Sequence, residues 1–268
     1  MKKIFTLFAA IAMVLSTVSC DKIFDNLEGD LTKMSDKDLL SSEPGIQRLL
    51  AALYSYIPMG AFTSGDQSTF FSAGRVGGKY SYGSAHTTWW NYTQMRSINK
   101  FLENLEEAKT AGTINEIQYK TYKGEALFIR AYCYFGGVKL TGGMPLVSEV
   151  LDKYYDGGEN AGLYVPRSTE KETWDFIIKD LDDAIALLPE TISSRDYAAN
   201  KYVALALQSR VALWAASESK YWDSRSLKPY GYTAVDHELT LMKPEYANAY
   251  YQKCIEASAA IINSGKYS

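Results

Sequence analysis

Three groups of residues in this chain carry side chains that could do chemistry. Asp180, Asp182 and Asp183 form one carboxylate cluster and Glu103, Glu106 and Glu107 form another, the raw material of a glycosidase-type acid and base. Each cluster falls opposite a Leu/Ile stripe at helical spacing, on the face where solvated charges belong. They are therefore expected to be surface groups, and no catalytic residue is assigned. Ser64-Gly65-Asp66 and Ser72-Ala73-Gly74 lack the strand-to-helix elbow of an activated serine, and neither His86 nor His237 stands in a triad context. Two histidines and three cysteines without a CxxC pair leave little for metal or haem chemistry, so neither metal nor cofactor is expected.

The third group is aromatic. From Met59 to Thr88, Gly60, Gly65, Gly74, Gly77, Gly78 and Gly83 interleave with Phe62, Phe70, Phe71, Tyr80 and Tyr82, and no helical period survives. Short strands are possible at 69–73 and 79–82. Rings with no stripe to bury them are available for flat apolar ligand faces, and nearby polar groups can fix hydroxyls. Trp89, Tyr80 and Tyr82 are the expected ring contacts, with Arg75 and Asp66 the expected hydrogen-bond partners. Trp90, directly before a helix, is expected to be core. Other aromatic groups, Tyr154-Tyr155, Tyr164, Tyr221-Trp222 and Tyr230 to Tyr232, could line a site or meet a partner protein. A net charge of -3 excludes nucleic acid, which needs a basic face to release counterions.

The elements that must position these groups are helices. A first helix is expected after Ser35 to Asp38, burying Ile46, Leu49, Leu50, Leu53 and Ile57 until Pro58 stops it. A second carries Ile98, Phe101, Leu102 and Leu105, and Gly112-Thr113 separates it from a long third. In that third helix Ala126, Leu127, Ile129, Arg130, Ala131, Tyr134, Phe135 and Val138 recur at three- and four-residue spacing before Gly142-Gly143 and Pro145 end it. A fourth begins at Thr169, with Glu172 as its capping-box partner, and runs on Trp174, Ile177, Ile178, Leu181, Ile185 and Leu188. Its mate carries Tyr202, Val203, Leu205, Ala206, Arg210, Val211 and Trp214, and a last helix from Glu245 to Ser264 carries Tyr250, Cys254, Ala257 and Ile261. Successive helical hairpins with Ala at the crossing points predict an all-α, tetratricopeptide-like α-solenoid with a loop-rich insert at 59–88 between the first helices. Cys133 and Cys254 sit on apolar helical patterns, where a free thiol acts as a small hydrophobe.

At the amino terminus, Lys2 and Lys3 precede the apolar run Ile4 to Val18, too short to span a membrane at ~20 residues and matching a secretory signal. The run leads into Thr17-Val18-Ser19-Cys20, which looks like a lipobox with Cys20 as the lipidated residue. The expected organisation is a lipoprotein signal peptide at 1–19, a tether at 20–34 and one helical domain at 35–268.

The block Gly124 to Val147 closely resembles the hallmark of the SusD/RagB family in the order of its Glu125-Ala126, Arg130-Ala131, Tyr134-Phe135, Val138, Gly142-Gly143 and Pro145-Leu146-Val147. Residues 198–211 and 262–268 resemble two further family helices. The resemblance implies a SusD-like fold and a non-enzymatic surface lipoprotein of the outer membrane, facing the cell exterior. Such a protein binds an oligosaccharide or polysaccharide and partners a SusC-like TonB-dependent transporter. It also implies a longer protein, of which this chain is the amino-terminal portion. A helical-repeat scaffold that binds the transporter or a non-sugar ligand without glycan recognition remains the alternative at this point.

Overall fold

The computed structural model describes residues 39–57, 90–151, 163–192, 194–195, 197–221 and 233–267. They form helices α1 (Glu43–Tyr54), α2 (Tyr92–Thr110), α3 (Glu116–Thr141), α4 (Glu170–Leu187), α5 (Lys201–Tyr221) and α6 (Ala247–Asn263), with a single helical turn at Thr233–Asp236 and a 3-10 turn at Pro244–Tyr246 before α6. Each helix packs mainly on its sequence neighbours: α2 on α3, α3 on α4, α4 on α5 and α5 on α6, with α1 laid across α2 and α3. That near-neighbour pattern is what an α-solenoid produces, because each added hairpin buries its apolar face on the one before. Among the described residues the extended structure is one antiparallel bridge, Pro145 to Arg167.

Local chemistry sets the helix ends. Asn115 caps α3 and Gln118 reaches back to the Asn115 amide; Thr169 and Glu172 do the same for α4. Both capping boxes satisfy amide groups that the first helical turn leaves unpaired. The α4 box is the one the sequence predicts. α1 is capped by Ser42, which accepts from the Gly45 amide, and Leu39 and Leu40 before it are also helical; Ser35 to Asp38 are outside the described residues along with the expected signal, tether, insert strands and Cys20.

α3 is the centre of the solenoid. From Gly124 to Val138 every residue but Tyr132 is buried, including Glu125 and Arg130. A helix covered on all sides must have neighbours all round, and α3 has α1, α2 and α4 against it. The glycine pair at its end explains itself in space. Gly142 has φ 71°, and a Cβ on Gly143 would lie 2.0 Å from the Ser168 carbonyl oxygen. Only the missing side chain lets the start of α4 approach that closely.

Two sequence expectations need correction. Asp180 is not a solvated surface group: it is 2% exposed, whereas Asp182 and the Glu103, Glu106 and Glu107 cluster face solvent or its margin. The buried face of α5 is only in part the predicted one. Tyr202, Leu205 and Val211 are buried as expected, but Val203, Ala206, Arg210 and Trp214 point outward, and Ala204, Leu207, Gln208, Ala212, Ala215 and Ala216 are buried instead. α5 packs between α4 and α6, and helices approach closely where the side chains are smallest, so the alanines decide which face turns inward.

Candidate functional site

The expected ligand residues Asp66, Arg75, Tyr80, Tyr82 and Trp89 all lie outside the described residues, so the site is described through the frame on which their segment is mounted. The described residues that flank that segment, Tyr56 and Trp90, both contact α3.

At the leaving end, Ile57 is buried and the Tyr56 carbonyl oxygen lies 4.0 Å from Cys133 Sγ. Tyr54 donates its hydroxyl proton to Glu125 Oε2 at 2.8 Å and accepts the Ala199 amide at 2.8 Å. Arg195 closes the other side of Glu125, donating from Nη1 at 3.0 Å and also from Nη2. Burial pushes the Tyr54 phenol and the Glu125 carboxyl up, Arg195 offsetting part of the latter. A carboxylate placed inside an apolar helix is tolerable only with such partners, because an unpaired buried charge is costly.

At the returning end, Trp90 packs edge-on against Tyr134 at 5.6 Å and Tyr92 at 5.0 Å, and a Cβ at Gly137 would meet the Met144 side chain at 2.5 Å and the Trp90 Cβ at 3.3 Å. Trp90 is thus a packing residue, as expected. Tyr134 donates to the Pro145 carbonyl and accepts the Val147 amide, both at 2.8 Å, which pins the Pro145-Leu146-Val147 exit to the same ring that Trp90 leans on.

Between the two ends runs a buried ionic knot. Arg130 donates from Nε to Asp180 Oδ2 and from Nη2 to Asp180 Oδ1, each at 2.7 Å, and from Nη1 to Asn99 Oδ1 at 2.8 Å. Asn99 in turn donates to the carbonyls of Val147 at 3.0 Å and Glu149 at 2.9 Å, and Arg96 reaches the Leu151 carbonyl at 2.9 Å. Burial alone would lower the Arg130 guanidinium; the Asp180 carboxylate outweighs it and holds the cation above its ordinary value. A fork-to-fork pair of this kind is geometric as well as ionic. It fixes α2, α3, α4 and the exit strand relative to one another.

These knots are structural. Asp180 and Glu125, the two carboxylates buried deepest in them, are each neutralised by an arginine and hold no free edge for a substrate proton. Sequence reasoning places Arg130 in the signature but misses its partner Asp180 and the Glu125–Arg195 pair. Glu125 and Arg130 do carry a signal, as charged residues inside an otherwise apolar helix, whereas Arg195 sits in a loop and carries none. Among the described residues no group of three or more His, Cys, Asp or Glu could hold a metal ion, and no helix is long and apolar enough to cross a membrane.

Of the other aromatic groups left open, Tyr164 and Tyr221 are exposed, at 78% and 69%. Trp214 is 40% exposed, with Lys139 Nζ 5.1 Å from its ring and Phe135 edge-on at 6.1 Å.

A solenoid centred on one buried signature helix defines the class of protein. Residues 66–213 match the SusD-like family described as starch-binding associating with outer membrane. That span is more than half of the 268 residues, and the chain belongs to this family. A SusD-like protein of Formosa agariphila is 32% identical over 103 residues, which is 38% of this chain and 19% of that protein. A SusD-like protein of Bacteroides fragilis superposes with a TM-score of 0.56 at 24% identity, over 87% of this chain and 40% of its own. For a SusD homolog of Bacteroides thetaiotaomicron the TM-score is 0.60 at 17% identity, over 90% and 44%. A SusD-like carbohydrate binding protein of Bacteroides vulgatus gives 0.53 at 17%, over 85% and 46%. The solved relatives share the fold, and this chain spans less than half the length of each relative.

Proposed function

We propose that this chain is part of a non-enzymatic cell-surface lipoprotein, anchored in the outer membrane through an acylated Cys20, that captures an oligosaccharide or polysaccharide and caps a SusC-like TonB-dependent transporter for its uptake. The observation that carries the reading is the family match over residues 66–213, which takes in Asp66, Arg75, Tyr80, Tyr82 and Trp89 as well as the signature helix. The carbohydrate binding named for the Bacteroides vulgatus relative supports it at the level of the fold. Within the segment, Trp89, Tyr80 and Tyr82 supply ring faces for sugar, and Arg75 and Asp66 bond its hydroxyls. Aromatic planes suit the task because they give large contact area for little lost side-chain freedom.

The test is isothermal titration of the full-length mature protein against a polysaccharide panel that begins with starch, for the wild type and Trp89→Ala. Weakened binding at an unchanged melting temperature supports the assignment. If melting drops by several degrees while affinity holds, Trp89 is a packing residue and the site lies elsewhere. Failure of the wild type to bind any glycan of the panel overturns the glycan reading in favour of a scaffold.

A further inference from the structure

The outward face of α5 carries two large rings that the solenoid does not bury. Trp214 and Tyr221 are both exposed and stand seven residues apart on the helix. At 1.5 Å per residue that is about 10 Å along the axis, and seven residues make almost two whole turns, so the rings share one side of α5.

Each ring is held in place. The Trp214 indole N–H donates to Glu218 Oε1, one turn on, at 2.6 Å. From α3, Phe135 meets the indole edge-on at 6.1 Å and Lys139 Nζ lies 5.1 Å from its centroid. The same ammonium lies 4.2 Å from the Phe135 centroid, so it ties the exposed ring to a buried one. Tyr221 is steadied in the same manner by Lys220, whose Nζ lies 5.3 Å from its ring and 5.7 Å from that of Tyr251 on α6. Rings fixed beforehand lose little side-chain freedom when something stacks on them.

The charges around the rings decide what fits there. Arg210 is exposed one turn before Trp214, and Lys139 and Glu218 flank the indole itself. A protein laid over this face would have to strip water from all three charges, which the centres of protein interfaces avoid. Sugar rings suit it better. Their C–H faces lie on aromatic planes while their hydroxyls bond polar groups that keep their own water. A span of about 10 Å is wider than one sugar ring, so a chain of sugars reaches both aromatic residues and a single sugar does not.

We propose that Trp214 and Tyr221 form a second glycan platform, on the outer side of α5, which takes successive sugar units of a polysaccharide, with Arg210 bonding their hydroxyls. The inference rests on the glycan-binding reading above and adds contacts outside the 59–90 segment.

The experiment is electrophoresis of the full-length mature protein in native gels cast with each polysaccharide of the panel, starch first, for the wild type, Trp89→Ala, Trp214→Ala, Tyr221→Ala and the Trp214→Ala/Tyr221→Ala pair, with a melting curve for each. Trp214→Ala and Tyr221→Ala should each weaken binding of the retarding polymer roughly two- to tenfold, the range for one aromatic contact, and the pair should weaken it further. Their melting temperatures should stay close to that of the wild type. The proposal is overturned if both single variants are retarded as strongly as the wild type. It is also overturned if they melt several degrees lower while binding holds, which assigns the face to packing against the rest of the protein. Should Trp214→Ala fail to fold, Tyr221→Ala decides alone, because Tyr221 is the more exposed of the two. A wild type retarded by no polysaccharide defeats the glycan reading itself, whereas binding that Trp89→Ala weakens and the α5 variants leave unchanged defeats this inference alone.

Discussion

Arg130 on α3 and Asp180 on α4 face each other through two parallel bonds of 2.7 Å, with neither side chain more than 7% exposed. Removing one member leaves the other charged and buried, which typically costs about 3–5 kcal/mol. Asp180→Ala is therefore expected to lower unfolding free energy by that amount in urea. Replacing both, as Arg130→Met with Asp180→Leu, should recover much of the loss, because the desolvation cost disappears with the charges. A double variant no better than Asp180→Ala would show that the pair is worth more than its two isolated members, through its bonds to Asn99 and the exit strand.

The glycine pair gives a sharper contrast. A Cβ at 143 meets the Ser168 carbonyl oxygen at 2.0 Å and the Glu170 amide nitrogen at 2.9 Å, all of it backbone. Gly143→Ala must push α4 away from α3 and is expected to cost at least ~1–3 kcal/mol, the usual range for overpacking. Gly112 also has a positive φ, 76°, but its Cβ would meet nothing within 4 Å. Gly112→Ala should cost only the backbone term of ~1–2 kcal/mol. Thermal melts of the two variants side by side check the order; equal losses would mean that the close approach at Gly143 relaxes freely.

Thiol chemistry separates the two helical cysteines. Both are free, and Cys133 is fully buried in α3, where burial pushes its thiol up to about 12. A thiol held that high carries almost no thiolate near neutrality, and the thiolate is the nucleophile. In a Cys20→Ala background, a maleimide at pH 7.5 should label the half-buried Cys254 in the native protein, while Cys133 reacts only as fast as the protein unfolds. Rapid labelling at Cys133 would show that α1 and α3 part readily in the native state.

Much of this fold is written locally. The 3.6 period of α3, the Thr169 and Glu172 capping box and the glycine pair before Pro145 each act within a few residues, so the helices and their ends can be read along the chain. The order of charged, aromatic and glycine residues in α3 also carries the family resemblance, and the match over 66–213 agrees with it. The ring and hydroxyl partners assigned to a ligand come from composition alone, since Asp66, Arg75, Tyr80, Tyr82 and Trp89 lie outside the described residues.

Partnership is what the tertiary structure decided. Asp180 reads as a solvated carboxylate by its helical position, yet the stacking of α4 on α3 carries it to an arginine 50 residues earlier. Glu125 finds its counter-charge 70 residues later, in a loop without periodicity. On α5, two neighbouring helices compete for the inward face, and the alanines at 204, 212, 215 and 216 take it because they admit the closest approach. That choice turns Trp214 outward. A periodic pattern records that a helix has a buried side; which polar groups meet there depends on how the hairpins stack, and stacking is a property of pairs of helices far apart in the chain.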